Sequence, residues 1–150
     1  MLVHFICRGN AYRSPMAEAY LRSLNLPGVS VMSSGTVADA HRAENEPRRP
    51  RIQAIMADFG VAQFAKPAPE QLTQARLDQG DITIFMNQFA ADECAQSFTL
   101  PPNTRIWDAD DIGEGSNIAK PGEDPFKHTP EVYQGIIDQV DQLASELRKP

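Results

Sequence analysis

A cysteine and an arginine enclose five residues near the start of the chain, in the segment Cys7-Arg8-Gly9-Asn10-Ala11-Tyr12-Arg13. A cysteine sulfur can act as a nucleophile, and an arginine guanidinium presents a planar pair of donors that matches two oxygens of an anion. An apolar run, Leu2 to Ile6, precedes the cysteine, and Ser14-Pro15 follows the arginine. The segment therefore predicts a loop between a buried strand and a helix, with backbone N–H groups that bind a phosphate-like anion.

Each residue type in this loop suits that role. Gly9 and Asn10 tolerate the left-handed backbone of a tight anion loop, and Ser14 is expected either to cap the helix or to donate its hydroxyl to the Cys7 sulfur. The predicted phosphate-binding residues are those between and beside the two reactive groups: Arg8, Gly9, Asn10, Ala11, Tyr12 and Ser14.

Cys7 is predicted to be the nucleophile. A thiol at the positive end of a helix beside an arginine loses its proton readily, so we expect a thiolate at neutral pH. A thiolate under a bound phosphoryl group can attack it and form a cysteinyl-phosphate intermediate. The alternative, a small buried hydrophobe at the end of a strand, is weakened by the Gly-Asn pair inside the loop and by Ser-Pro after it.

Short apolar runs alternate with helical periodicities along the rest of the chain. Alternation of this kind predicts an α/β fold with a parallel sheet covered on both faces, in which ligands bind beyond the carboxyl ends of the strands. The predicted strands are Leu2–Ile6, Val29–Ser33, Ile82–Met86 and Arg105–Trp107. The predicted helices are Pro15–Leu24, one through Ile52 to Phe59, a weaker one over Pro69–Leu77, Ala90–Gln96, and Thr129 to Leu147.

Composition limits the function classes. The 150 residues, 41% of them hydrophobic, predict one domain over residues 1–150, and the formal charge of −6 argues against binding nucleic acid or an anionic membrane. No apolar run approaches membrane-spanning length and no signal-peptide pattern opens the chain, which favours the cytoplasm. Two distant cysteines, Cys7 and Cys94, give neither a disulfide framework nor zinc spacing, so neither metal nor cofactor is expected.

The segment from His4 to Glu18 resembles the phosphate-binding loop of the low-molecular-weight protein tyrosine phosphatases. Ser34-Gly35-Thr36 is similar to a segment after that family's second strand, Asp81 to Met86 resembles its third strand, and Asp124-Pro125 resembles its general-acid loop. The resemblance implies a three-layer sandwich with a four-stranded parallel sheet and helices on both faces. It also implies phosphatase activity toward a phosphorylated protein or a small phosphomonoester, through a cysteinyl-phosphate.

Asp124 is the general acid that the resemblance implies. On its own, an Asp-Pro pair in a loop is more often a turn than a catalyst. The chemistry needs a proton donor for the leaving oxygen, and the same carboxylate can then serve as base toward water. We expect the neighbouring Glu123 to raise the pKa of Asp124 by like-charge repulsion.

The residues around the predicted cleft depart from the family pattern. Tyr12 stands where many relatives have a second cysteine, and Phe126 is the single aromatic residue directly after Asp124-Pro125. The predicted substrate wall consists of Phe126, His41 and Arg42. Basic residues at positions 41, 42, 48, 49 and 51 either attract acidic substrates or form a solvated surface.

Three functions remain open from the sequence. A phosphomonoester hydrolase ranks first. An arsenate reductase that uses an external thiol ranks second, because relatives bind arsenate in the same loop and Cys94 lacks a companion cysteine. A catalytically weak phosphate-binding module ranks third, because Cys7, Arg13 and Asp124 are all present.

Overall fold

A parallel sheet of four strands forms the centre of the computed structural model, which describes residues 1–149 except for the side chain of Glu114. The strands are β1 (Leu2–Cys7), β2 (Ser30–Gly35), β3 (Ile82–Phe85) and β4 (Thr104–Ile106), in the order β2-β1-β3-β4. β1 pairs with β2 and β3, and β3 pairs with β4, in each case parallel. The carboxyl ends of all four strands therefore lie at one edge of the sheet.

Six helices accompany the sheet: α1 (Arg13–Ser23), α2 (Ala38–Asn45), α3 (Arg49–Asp58), α4 (Gln74–Gln79), α5 (Gln88–Ala95) and α6 (Thr129–Leu147). Phe5 and Ile6, consecutive in β1, belong to different apolar clusters. Since neighbouring residues of a strand point to opposite faces, the two clusters lie on opposite faces of the sheet. The first contains side chains of α1, α3 and α6, and the second contains side chains of α4 and α5. The predicted fold class, a three-layer sandwich, is confirmed.

The element boundaries follow the predictions with small shifts. α6 begins at Thr129 as predicted, with Pro130 in its first turn and an apolar stripe of buried side chains that includes Val132, Ile136, Val140 and Leu143. β2 continues two residues further than predicted, to Gly35, and the weak fourth helix forms only at Gln74–Gln79.

The helix α2 was not predicted. Its one buried residue is Ala38, so its sequence carries no apolar stripe. Ion pairs three residues apart, His41 with Glu44 and Arg42 with Asp39, lie on its surface. None of the helices described for residues 1–149 is long and apolar enough to cross a membrane.

Candidate active site

The predicted anion loop, here called the phosphate loop (residues 8–12), connects the end of β1 to the start of α1. Asn10 adopts a left-handed conformation with φ of 51°, as expected for this position. The loop passes directly over Gly35, the last residue of β2, which is paired with Cys7. A Cβ at Gly35 would lie 2.5 Å from the Arg8 carbonyl oxygen and 2.8 Å from the Asn10 nitrogen. Only glycine therefore permits this approach.

The Asn10 side chain fixes the loop from behind. Its Nδ2 donates to Ser14 Oγ (2.9 Å) and Ser33 Oγ (2.8 Å). Its Oδ1 accepts from Lys66 Nζ and from the Glu70 N–H, both at 2.8 Å. Because all four bonds are made by a side chain that is 1% exposed, the strained left-handed residue is held in one position.

Cys7 lies beneath the loop with its sulfur 2.9 Å from Ser14 Oγ. This is the second of the two roles expected for Ser14, since α1 has no side-chain cap at its first turn. Ser14 Oγ already accepts a bond from Asn10, so its own hydrogen is free to point at the sulfur. A hydroxyl donor at this distance stabilises a thiolate.

Arg13 is 2% exposed, and its guanidinium lies at the wall of a cleft above the phosphate loop. Nη1 donates to the Ala109 carbonyl and Nη2 to Asp111, both at 3.3 Å, whereas Nε has no hydrogen-bond partner among the groups that the structure describes. In the described part of the chain, the backbone N–H groups of residues 9–12 donate no hydrogen bond to a protein acceptor. Buried donors of this kind require an acceptor, and an anion in the cleft would satisfy them.

Arg8 contributes differently from Arg13. Its guanidinium donates to Glu93 on α5 at 3.2 Å and lies 4.9 Å from the centre of the Phe89 ring. The Arg8 side chain is therefore committed to α5, and its backbone is what borders the anion position.

Tyr12 joins the phosphate loop to α6. Its hydroxyl donates to Thr129 Oγ1 at 2.8 Å, and its carbonyl accepts from the Tyr133 hydroxyl at 2.8 Å. The two rings lie 5.1 Å apart. Burial raises the pKa of the Tyr12 hydroxyl well above its ordinary value. This phenol is a structural contact between the loop and the helix.

The structure brings only part of the predicted substrate wall to the cleft. His41 lines it, together with Arg48, one of the basic residues considered from the sequence, and with Glu44 and Asn45, which were not predicted there. Arg42 does not line it, because its guanidinium pairs with Asp39 and the Pro69 carbonyl. Phe126 does not line it either: its ring is 8% exposed and packs edge-on against Tyr12 at 6.4 Å.

Asp124 forms an ion pair with Arg51 of α3. Arg51 Nη1 donates to Asp124 Oδ1 at 2.9 Å, Nη2 donates to Oδ2, and the Phe126 N–H donates to Oδ1 at 3.1 Å. Arg51 and the Phe126 N–H lower the pKa of Asp124. Its neighbours Glu123 and Pro125 line the cleft, but Asp124 itself does not.

The expected effect of Glu123 on Asp124 is wrong. Glu123 accepts from the Lys120 N–H (2.9 Å), from Lys127 Nζ (3.0 Å) and contacts His128 Nε2 (3.1 Å). These bonds lower the pKa of Glu123 to about 2 and neutralise its charge locally. The cation that faces Asp124 is on α3, about seventy positions away in the sequence, where no local pattern could reveal it.

Cys94 lies on α5 in the second apolar cluster, and burial raises the pKa of its thiol to about 11. It is a free thiol and an inert one. Among the described residues, no three histidine, cysteine or acidic side chains are grouped so that they could hold a metal ion.

Comparison with known proteins gives consistent similarities over nearly the whole chain. The family described as "Low molecular weight phosphotyrosine protein phosphatase" matches residues 2–150. A protein-arginine-phosphatase of Geobacillus stearothermophilus is 28% identical over 144 residues, which cover 95% of this chain and 90% of the relative. A glutaredoxin arsenate reductase of Synechocystis is 25% identical and covers 97% of this chain and 94% of its own.

Among solved structures, Wzb of Vibrio vulnificus in complex with benzylphosphonate has the same fold. It is 22% identical, with a TM-score of 0.72, and the match covers 97% of each chain.

Proposed function

Since this chain belongs to the low molecular weight phosphotyrosine protein phosphatase family, we propose that it hydrolyses phosphomonoesters through a cysteinyl-phosphate on Cys7. The observation that carries the proposal is the Arg13 guanidinium, which is buried at the cleft wall and whose Nε has no partner among the described groups of the chain. A buried cation beside free backbone N–H groups and a thiol suits a phosphoryl group and its transition state.

Substrate binding uses the loop and Arg13. The phosphoryl oxygens accept hydrogen bonds from the backbone N–H groups of residues 9–12 and from Arg13, which directs the phosphorus atom toward Cys7 Sγ. Charge on these oxygens is spread in the transition state, so donors held in fixed positions lower the barrier without reorganising.

The first chemical step transfers the phosphoryl group to sulfur. The Cys7 thiolate attacks phosphorus, the S–P bond forms and the ester P–O bond breaks. Protonated Asp124 gives its proton to the leaving oxygen.

The second step returns the enzyme to its starting state. Asp124, now a carboxylate, takes a proton from water, whose oxygen attacks phosphorus, and the P–S bond breaks to release inorganic phosphate. The Ser14 hydroxyl, 2.9 Å from the sulfur, stabilises the departing thiolate.

Phosphorylated tyrosine on a protein is the substrate class that the family suggests. Phosphoarginine is a second candidate, favoured by one observation and by the Geobacillus relative, which is named an arginine phosphatase. With this substrate the P–N bond breaks instead of a P–O bond, and the leaving nitrogen takes the proton. Tyr12 is the one aromatic residue among the described residues that line the cleft, and its ring is 5% exposed. The cleft therefore has no pair of aromatic walls that would hold an aryl ring of the substrate. Its lining does not select for a substrate that carries such a ring.

Arsenate reduction is less well supported. A reductase must pass electrons from the active-site sulfur to another thiol, and Cys94 is buried with its pKa raised. An arsenate reductase built on this chain would depend on an external thiol. The nucleophilic role proposed for Cys7 requires a free thiol, which suits a reducing compartment and supports the cytoplasm as the location.

One assay panel and one variant test the proposal. We expect the purified protein to hydrolyse p-nitrophenyl phosphate and a phosphotyrosine peptide faster than it reduces arsenate in the presence of glutathione. A phosphoarginine peptide distinguishes the two substrate classes. Asp124→Asn should lower kcat for the phosphotyrosine peptide about 10²–10⁴-fold, and much less for p-nitrophenyl phosphate, whose leaving group is already acidic.

Asp39→Asn is the matched control, because Asp39 is an exposed carboxylate that does not line the cleft. Equal losses on both substrates in Asp124→Asn, or no loss, would assign the acid to another residue.

A further inference from the structure

The ion pair between Arg51 and Asp124 joins α3, which does not line the cleft, to a loop whose residues Glu123 and Pro125 do line it. Arg51 lies on α3, and Asp124 lies in the acid loop (residues 120–128) before α6. Both carboxylate oxygens are engaged by the two Nη atoms of Arg51. A bidentate contact of this kind is the strongest geometry available to an arginine and a carboxylate.

Arg51 is held on its other side as well. Its guanidinium carbon lies 4.9 Å from the centre of the Phe126 ring, which is itself packed against Tyr12. An arginine over an aromatic face gains a cation–π contact and loses side-chain freedom. The guanidinium is thus fixed in place for the carboxylate it binds.

The neighbouring arginines are paired differently. Arg48 is within 4.0 Å of Glu44, and Arg49 is within 3.7 Å of Glu46, which are contacts one helical turn away. Arg51 instead reaches a residue 73 positions further along the chain. The pair with Asp124 is therefore a tertiary contact and not part of the local charge pattern of α2 and α3.

This contact conflicts with the acid role of Asp124. A general acid must carry a proton and present it to the leaving oxygen, but here both oxygens accept bonds from a cation. The carboxylate also lies outside the residues that line the cleft. Asp124 cannot donate a proton while Arg51 holds it in this position.

We propose that Arg51 is a positioning residue that holds Asp124 in a resting position, and that the phosphorylated substrate releases the carboxylate for catalysis. The proposal rests on the proposed function, because it takes Asp124 as the acid. A phosphate dianion in the cleft supplies the driving force. Its charge repels a carboxylate and favours the protonated form, and that form binds Arg51 weakly.

The groups that face Asp124 define the expected pH dependence. Arg51 is the charged group that faces Asp124 from α3. In the acid loop, the carboxylate of Glu123 is bound by Lys127 and His128. Arg51 lowers the pKa of Asp124 in the free enzyme. Removing Arg51 should therefore move the basic limb of the kcat/KM profile to higher pH, because the pKa of Asp124 is no longer lowered by Arg51.

The test compares Arg51→Gln with Arg49→Gln, which removes the same charge from the same helix. With a phosphotyrosine peptide at pH 7.5, we expect Arg51→Gln to raise kcat/KM about two- to fivefold, as suits an exposed pair. Its basic limb should lie at higher pH than that of the wild type, and Arg49→Gln should match the wild type. Salt screens exposed pairs, so the ratio of the Arg51→Gln to the wild-type kcat/KM should fall toward one as the salt concentration rises.

The Arg51→Gln substitution in a protein that already carries Asp124→Asn separates this proposal from the proposed function. In Asp124→Asn, adding Arg51→Gln should change neither the rate nor the pH profile. If Asp124→Asn alone does not slow the phosphotyrosine reaction, the acid assignment is wrong. If it does slow that reaction, but Arg51→Gln lowers kcat/KM with an unmoved basic limb and an unchanged melting temperature, then Arg51 binds substrate and the resting position is disproved.

Discussion

Replacing Gly35 by alanine tests whether the phosphate loop is positioned by its contact with the end of β2. The added Cβ would lie 2.5 Å from the Arg8 carbonyl oxygen, 2.8 Å from the Asn10 nitrogen and 2.9 Å from the Gly9 carbonyl carbon. These separations are roughly 1 Å shorter than an optimal non-bonded contact. All three atoms belong to the backbone, so no side-chain rotation relieves the overlap.

The loop must therefore move away from β2 by a substantial part of that distance. A displacement of about 1 Å at a catalytic site can cost about 10²-fold in rate, so we expect Gly35→Ala to lower kcat/KM for p-nitrophenyl phosphate by ~10²-fold. Overpacking of this kind costs about 1–3 kcal/mol in the free energy of unfolding, or roughly 2–4 °C in melting temperature per kcal/mol for a chain of this size.

Gly135→Ala provides the matched control. Gly135 lies within α6, and a Cβ there would meet no atom within 4 Å. Alanine at that position should raise the free energy of unfolding by about 0.5–1 kcal/mol and leave the rate unchanged. A Gly35→Ala protein with wild-type kcat/KM and melting temperature would refute the reasoning, because the loop could not then depend on its approach to Gly35.

Two other variants test the nucleophile and a buried histidine of β1. Cys7→Ser should abolish turnover of p-nitrophenyl phosphate but retain phosphate binding by calorimetry, because a hydroxyl has no comparable anionic form at neutral pH; measurable turnover would contradict the cysteinyl-phosphate. Burial, with the charges of Arg76 and Lys66, lowers the pKa of His4 to about 3, so neutral His4 stabilises the fold fully above its unfolded pKa of about 6.5. Between pH 6.5 and 4.5 the wild type should lose up to ~1.4 kcal/mol per pH unit in urea unfolding, and His4→Gln should remove that slope; an equal slope in both proteins would contradict the assignment.

The features that depend on residues close together in the chain were predicted from the sequence. The buried strand before Cys7, the left-handed Asn10 and the apolar stripe of α6 all arise from residues close together in the chain, so patterns of spacing and residue type predicted them. The sheet followed from the alternation of strands and helices, and the resemblance added the number of strands.

Features made by distant residues were missed. Lys66 donates to Asn10 from a segment with no motif of its own, and Arg51 was grouped with a basic run whose other members pair locally. From the sequence, the ion pairs of a charged residue are predicted from its neighbours in the chain. In the folded protein, tertiary structure decides which residue it pairs with. The expected rise in the pKa of Asp124 was wrong for this reason, because Arg51 lowers it. Phe126 packs against Tyr12, which is also distant in the sequence.

The contacts of Tyr12 have a consequence for how the protein is made. The phosphate loop is synthesised before α6, because the hydroxyl that receives the Tyr12 bond belongs to a residue 117 positions later. Tyr133, whose hydroxyl donates to the Tyr12 carbonyl, is synthesised later still. Until α6 has been synthesised, a nascent chain therefore carries Cys7 without the helix that completes its surroundings. Phosphatase activity should arise only when α6 has been released and docked, so incomplete chains would be catalytically silent.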